Sequence, residues 1–246
     1  MLKNRKSGIL LHISSLPGKY GIGDLGGQAY HFIDKLEQMG QVYWQILPIN
    51  EPNDSNSPYD TSSAFAQNPM FISLDLLLVD GLLDNSDFNH ALDLDGPKID
   101  FNRLKKWKYP LLIKAAIAFQ KKYMHKQNDD FKTFCEMNEY WLNSYAAYKV
   151  LKDKNNDLPW FEWDDDLKCF NRKTLEGALK DNTEEIETIK IIQYFFYKQW
   201  HSLKNYANEK NISLIGDLPI YISHDSADVW ANHHLFKLND DGNMVV

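Results

Sequence analysis

Asp217 is the carboxylate whose setting most invites chemistry. It follows Ile212–Gly216 (ISLIG), an apolar run short enough for a buried strand, and it precedes Pro219, which cannot donate to a sheet ladder. A carboxylate where a buried parallel strand runs out is where open-sheet and barrel enzymes keep their reactive groups. The same placement suits an aspartate that caps or pins the turn, and spacing alone supports both readings. A second candidate region is the long polar loop Asn50–Pro69, which contains Ser57, Pro58 and Tyr59. Loops of this length inside a domain are usually functional or disordered, and Tyr59, Phe65 and the prolines argue against disorder. Tyr59 taken alone also reads as a packing anchor.

Other constellations are weaker. The loop GIGDLG matches G-x-G-x-x-G through Gly21, Gly23 and Gly26, but a dinucleotide site needs those glycines directly after the strand. Pro17, Gly18, Lys19 and Tyr20 intervene, and Asp24 would set a carboxylate where a pyrophosphate belongs. A tight loop needing positive φ is the better reading, with a nucleotide-binding α/β protein as the alternative. His224–Asp225 suggests a metal pair, yet adjacent side chains of an extended segment point apart. His233 and His234 read as surface residues. Cys135 and Cys169 lie in unrelated contexts, so neither metal spacing nor a disulfide framework is present. Trp160 and Trp163 could be ligand-stacking platforms, but such aromatics more often fold back on a core.

The elements that must position these residues follow from periodicity. Ser7–Ser14 (SGILLHIS) reads as a first strand, nearly all apolar and so buried on both faces. A helix follows with Ala29, Phe32, Ile33, Leu36 and Met39 on one face and Gly40 to stop it. Val42–Ile49 reads as a second strand, and strand–helix–strand implies a parallel, right-handed crossover. Beyond it, Ile72–Leu78 reads as a strand-like or short helical piece. Leu104–Tyr123 reads as a helix with Pro110 in its first turn or at a kink, and Glu136–Lys152 as another. Residues 153–173 read as a surface loop. Asp181 with Glu184 signals a capping box for a helix running to about Lys210, with Ile186, Ile189, Ile192, Phe196, Leu203 and Tyr206 on its buried stripe. Asp225, Ser226 and Asp228 start a short helix, and residues 235–246 read as a β-hairpin.

Composition narrows the function classes. The 246 residues are 43% hydrophobic and 13% aromatic, enough for a sizeable core in one large domain. A net charge of −7 argues against nucleic acid and anionic membrane surfaces as partners. Lys3, Arg5 and Lys6 before an apolar run imitate a signal peptide, but the run is too short and lacks a small-residue cleavage site. A cytoplasmic protein is expected.

Three stretches carry a family resemblance: GDLPIYISHDSADVW (Gly216–Trp230), LLHISSLPGKYGIGDLGGQAYHFID (Leu10–Asp34) and WQILPINEPNDSNSPYDTSSAFAQNP (Trp44–Pro69). They resemble the amylomaltases, the 4-alpha-glucanotransferases of the alpha-amylase superfamily, and stand in family order. The resemblance implies an α/β fold: a partial (β/α)8 TIM barrel of about the first three βα units with large, mainly helical insertions. The implied division is 1–70 for two strands and an active-site loop, 71–182 for a helical insertion, and 183–246 for the third strand and hairpin. It implies transfer of alpha-1,4-glucan segments between maltooligosaccharides by a retaining double displacement, with no metal or organic cofactor. Ser57, Pro58 and Tyr59 match the family segment that contacts the glucose beside the cleaved bond. Asp217 matches the aspartate that orients the catalytic cluster, and His12 and Asp24 could line the cleft floor, where packing and loop capping explain them as well. The family places its nucleophile, acid/base and supporting aspartate after later strands. The expectation is therefore that this chain holds none of them and is inactive alone. The alternative is a non-catalytic glucan-binding module or a truncated relative kept for interaction.

Overall fold

The computed structural model describes residues 5–88, 98–123, 128–239 and 241–245. Strand β1 (Gly8–Leu10) is followed by α1 (Gly27–Gln38) and β2 (Tyr43–Gln45). Then come α2 (Leu74–Val79), α3 (Phe101–Tyr123), α4 (Asp129–Met137), α5 (Glu139–Lys154), α6 (Asp165–Lys168) and α7 (Arg172–Asp181). The long α8 (Thr183–Glu209) leads to β3 (Ser213–Ile215), and α9 (Ala227–Ala231) closes the series. Two compact units result. The first comprises 1–49, 68–126 and 194–218, and the second 50–67, 127–193 and 219–246.

The first unit holds a three-stranded sheet in the order β1-β2-β3. Both pairings are parallel, with Ile9 opposite Trp44 and Trp44 opposite Leu214. In central β2, Trp44 is fully buried, its Nε1 donates to Leu11 O at 2.7 Å, and the Phe32 ring meets it edge-on at 5.0 Å. Ala29, Ile33 and Leu36 of α1 are buried as the periodicity predicts, and Gly40 takes a φ of +67° just past the helix end. Met39 is 53% exposed because it caps α1 rather than continuing its stripe.

Burial on both faces does not hold for any of the three strands. Leu10 is 56% and Ile215 41% exposed, and Gln45 of β2, which pairs with both, is exposed as well, so the row Leu10–Gln45–Ile215 lies on an uncovered face of the sheet. The first strand is also shorter than expected, because Ile13–Ser15 turns into a 3₁₀ helix. The apolar piece at Ile72–Leu78 resolves into α2. Helix α3 starts at Phe101, so Pro110 lies well inside it rather than in its first turn.

In the second unit, the expected helix Glu136–Lys152 is two helices divided at Asn138. That side chain donates to Phe134 O at 2.8 Å and accepts from Trp141 Nε1 at 3.0 Å, competing locally with the helical ladder. Residues 153–173 are not a plain surface loop, for Trp160 and Trp163 are buried core residues. Trp160 Nε1 donates to His224 O at 2.6 Å and Trp163 Nε1 to Leu158 O at 2.9 Å. The capping box at Asp181 fails. Asp181 ends α7, and Asn182, whose side chain donates to Ala178 O at 2.9 Å, precedes α8. Within α8 the predicted Ile186, Ile192, Phe196 and Leu203 are buried, while Ile189 and Tyr206 are half-buried. Ser226 caps α9 by accepting from Val229 N, as read from sequence. The hairpin forms through a Leu238–Met244 bridge; Asp240 and Val246 of that reading lie outside the described residues.

Replacing Trp44 with alanine is expected to cost about 3–5 kcal/mol of stability, the usual range for emptying a buried tryptophan site. Urea unfolding measures it; a change below about 1 kcal/mol would show that β2 does not centre the core.

Candidate functional site

In the first unit the loop between β1 and α1 is built by close backbone approach. A Cβ on Gly23 would lie 2.1 Å from Ile13 O, and one on Gly26 would lie 2.4 Å from Ser73 Oγ. Gly21 has a φ of +78°. The Asp24 carboxylate accepts from Gly26 N at 2.8 Å, so the amide at the start of α1 already has an anionic partner. The glycines therefore serve loop packing, and Asp24 fills the position a pyrophosphate would need. Burial raises the Asp24 pKa, opposed by the Lys108 charge and the Gly26 amide.

Lys108 was not anticipated as a buried group. It is completely buried on α3, where its Nζ donates to Met70 O at 2.7 Å, and burial holds its pKa down to about 8. The sequence does carry a signal: Leu104, Lys108 and Leu112 share one helical stripe. His12 borders the same Met70–Ser73 segment, with its ring edge-on to Phe71 at 5.3 Å. Its Nδ1 is buried without a hydrogen-bond partner, and burial lowers its pKa to about 4. Asp217 stands exposed just after β3, and its Oδ1 accepts from Leu218 N at 2.8 Å.

Ser57, Pro58 and Tyr59 belong to the second unit, where they form one turn. Ser57 O accepts from Asp60 N at 3.1 Å and Ser57 Oγ from Tyr59 N at 3.3 Å. Below the turn, Asn53 and Asp60 are joined twice, through Asn53 N to Asp60 O at 2.8 Å and Asn53 Nδ2 to Asp60 Oδ1 at 3.0 Å. Pro52 bridges Thr61 and Asn50 bridges Gln67. Tyr59 is 47% exposed, so it is not a core anchor.

Two carboxylates tie elements of this unit to α5: Glu51, which sequence reading did not single out, and Asp225, read there as half of a metal pair and as a helix starter. Glu51 is buried; its Oε2 accepts from Tyr145 Oη at 2.5 Å and its Oε1 from Lys149 Nζ at 3.1 Å. Asp225 accepts from Tyr148 Oη at 2.7 Å and from Lys152 Nζ at 2.5 Å. Burial and the neighbouring Asp225 charge raise the Tyr148 pKa, so that phenol stays a donor. His224 turns instead to Gly242 O at 2.8 Å, so the two halves of the His–Asp pair serve different partners. His233 is half-buried against the Trp160 ring, at 4.8 Å between centroids, rather than a surface residue. Among the described residues, no group of three or more His, Cys, Asp or Glu side chains could hold a metal ion. Nor, among them, is any helix long and apolar enough to cross a membrane.

The family model of glycoside hydrolase 77, described as 4-alpha-glucanotransferase, matches residues 11–243. The chain belongs to this family. It is similar to a 4-alpha-glucanotransferase of Streptococcus pneumoniae, 42% identical over 98% of this chain and 48% of the relative. It is also similar to one of Clostridium butyricum, 43% identical over 94% of this chain and 47% of the relative. Among solved structures it matches the amylomaltase from Streptococcus agalactiae in complex with acarbose. That match has a TM-score of 0.88 and 37% identity, covering 97% of this chain and 48% of the other. The chain spans about half the length of the curated relatives it matches.

His12 gives the first unit a pH dependence. Its neutral form is favoured in the fold, while the unfolded chain takes up a proton near 6.5; stability should fall as pH drops from 6.5 to about 4. His12→Gln should remove that part of the slope in urea midpoints taken across the window. A variant with the wild-type slope would refute the assignment.

Proposed function

We propose that this chain forms part of a 4-alpha-glucanotransferase that moves alpha-1,4-glucan segments between maltooligosaccharides with retention of configuration. The observation that carries the reading is the family match over residues 11–243. It is supported by the turn Ser57–Tyr59, which presents an exposed aromatic ring on a loop tied at its neck. The three parallel strands with α1 in the first crossover support a partial (β/α)8 barrel of about three βα units. The division into 1–70, 71–182 and 183–246 belongs to that barrel reading. A cytoplasmic location goes with it.

Retaining transfer needs two carboxyl groups roughly 5 Å apart, one as nucleophile and one as acid/base. The nucleophile forms a glycosyl-enzyme while the acid protonates the departing sugar oxygen. A sugar hydroxyl of the acceptor, rather than water, then attacks, and the second carboxylate takes its proton. We assign neither role to a residue of this chain. The reading gives Ser57, Pro58 and Tyr59 contact with the glucose beside the cleaved bond. Asp217 receives a supporting role toward the catalytic carboxylates, through the hydrogen-bonding capacity of an exposed side chain at a strand end. His12 and Asp24 are lining groups of the β1–α1 loop. The mechanism requires no metal and no organic cofactor, because glucan transfer is acid/base and nucleophilic chemistry throughout.

Maltotriose tests the reading. The complete polypeptide that carries these residues should yield glucose and longer maltooligosaccharides together, and residues 1–246 alone should release no glucose above a blank. In the complete polypeptide, Tyr59→Ala should lower kcat/KM by about tenfold or more, the size of one aromatic contact. Absence of transfer by the complete polypeptide would overturn the activity, and glucose release by residues 1–246 would overturn the placement of the acids.

A further inference from the structure

Helix α5 repeats one device on successive turns. Tyr145 and Lys149 stand four residues apart and close on Glu51; Tyr148 and Lys152, also four apart, close on Asp225. Each time a tyrosine hydroxyl takes one carboxylate oxygen and a lysine ammonium the other. Glu51 sits at the neck of the loop that carries Ser57–Tyr59. Its backbone N donates to Ala66 O at 3.3 Å and its carbonyl accepts from Ser62 N at 3.0 Å. Ser62 Oγ adds a bond to Glu51 Oε2 at 3.3 Å. Asp225 reaches the same loop through its carbonyl, which accepts from Asn53 Nδ2 at 3.5 Å.

These clamps are poor devices for stability alone. A buried ion pair gains little over apolar packing, because desolvation offsets most of the attraction. What such a pair supplies is direction, since the carboxylate oxygens accept from donors held at fixed places on α5. The loop needs direction because no residue from Pro52 to Asp60 is buried. Apolar burial therefore contributes little to placing it. Both clamps fasten this loop, and both arise from the same face of α5.

We propose that Glu51 is a positioning residue for glucan binding: held by Tyr145 and Lys149, it sets the Ser57–Tyr59 turn in its sugar-binding position. Asp225, held by Tyr148 and Lys152, is the second anchor. The helical insertion is thereby part of the substrate machinery. This rests on the reading that Ser57–Tyr59 contacts glucan.

The test compares Glu51→Ala and Glu51→Gln with wild type by amide hydrogen exchange, thermal unfolding and maltoheptaose titration. Glutamine still accepts from Tyr145 but loses the charge opposite Lys149. In Glu51→Ala, exchange at the Tyr59 and Asp60 amides should rise by about tenfold or more, while the Trp44 and Ile46 amides of the first unit stay within about twofold. Maltoheptaose affinity should fall by about tenfold in the alanine variant and less in the glutamine variant, which rescues half of the clamp. In the complete polypeptide the loss should appear in KM with kcat retained. Unchanged exchange at Tyr59, exchange raised equally everywhere, or local loosening with undiminished maltoheptaose affinity would each overturn the proposal. If wild type binds no maltoheptaose, the glucan reading fails, and with it the sugar-positioning role; local exchange alone would then report a loop clamp and nothing more.

Discussion

The parallel pairing of β2 on both of its edges is the constraint from which the first unit follows. Parallel neighbours cannot be joined by a tight turn, so each strand must be separated from the next by a crossover. It also follows that all three strands finish at the same end of the sheet. His12 leaves β1 there and Asp217 leaves β3 there, while the chain leaving β2 runs on into the 50–67 segment. Buried Trp44 enforces the arrangement, because its indole fills the space beneath α1 while its N–H satisfies the Leu11 carbonyl just past β1.

Away from the sheet, the structure relies on long polar side chains that reach from helices to irregular backbone. Gln199 receives Ser73 N at 2.7 Å and donates to Ser73 O at 3.0 Å. In the second unit Gln193 does the same for Gln67, at 2.8 and 2.9 Å. Lys108 holds Met70 O, and Glu51 and Asp225 are each held by a tyrosine and a lysine. The cause is common to all: buried backbone outside a ladder must find partners, and a polar loop has few apolar residues with which to bury itself. Helices supply those partners because their side chains project in fixed directions from a rigid axis.

This explains what the sequence made legible and what it hid. The βαβ rhythm, the end of α1 at Gly40 and the Ser226 cap are short-range, and each follows from a few neighbouring residues. So is the family signature, which the match over residues 11–243 bears out. The break at Asn138 was hidden because the apolar stripe runs on across it; only the side chain's competition for Phe134 O reveals it. Trp160 and Trp163 lie in a stretch that reads as polar, and their burial depends on His224 and Leu158 carbonyls waiting for their N–H groups. Glu51 was the deepest omission. In PINEPND it reads as one more loop charge, and its partners lie some ninety residues away on α5. A long-range ion pair leaves no local pattern to read.

The central proposal is that the Ser57–Tyr59 turn contacts glucan. A crystal structure of the protein with a bound maltooligosaccharide tests that most directly. The account predicts a glucose ring within about 4 Å of the Tyr59 ring, with Ser57 in the same contact. Sugar bound elsewhere while Tyr59 faces bulk solvent would contradict it.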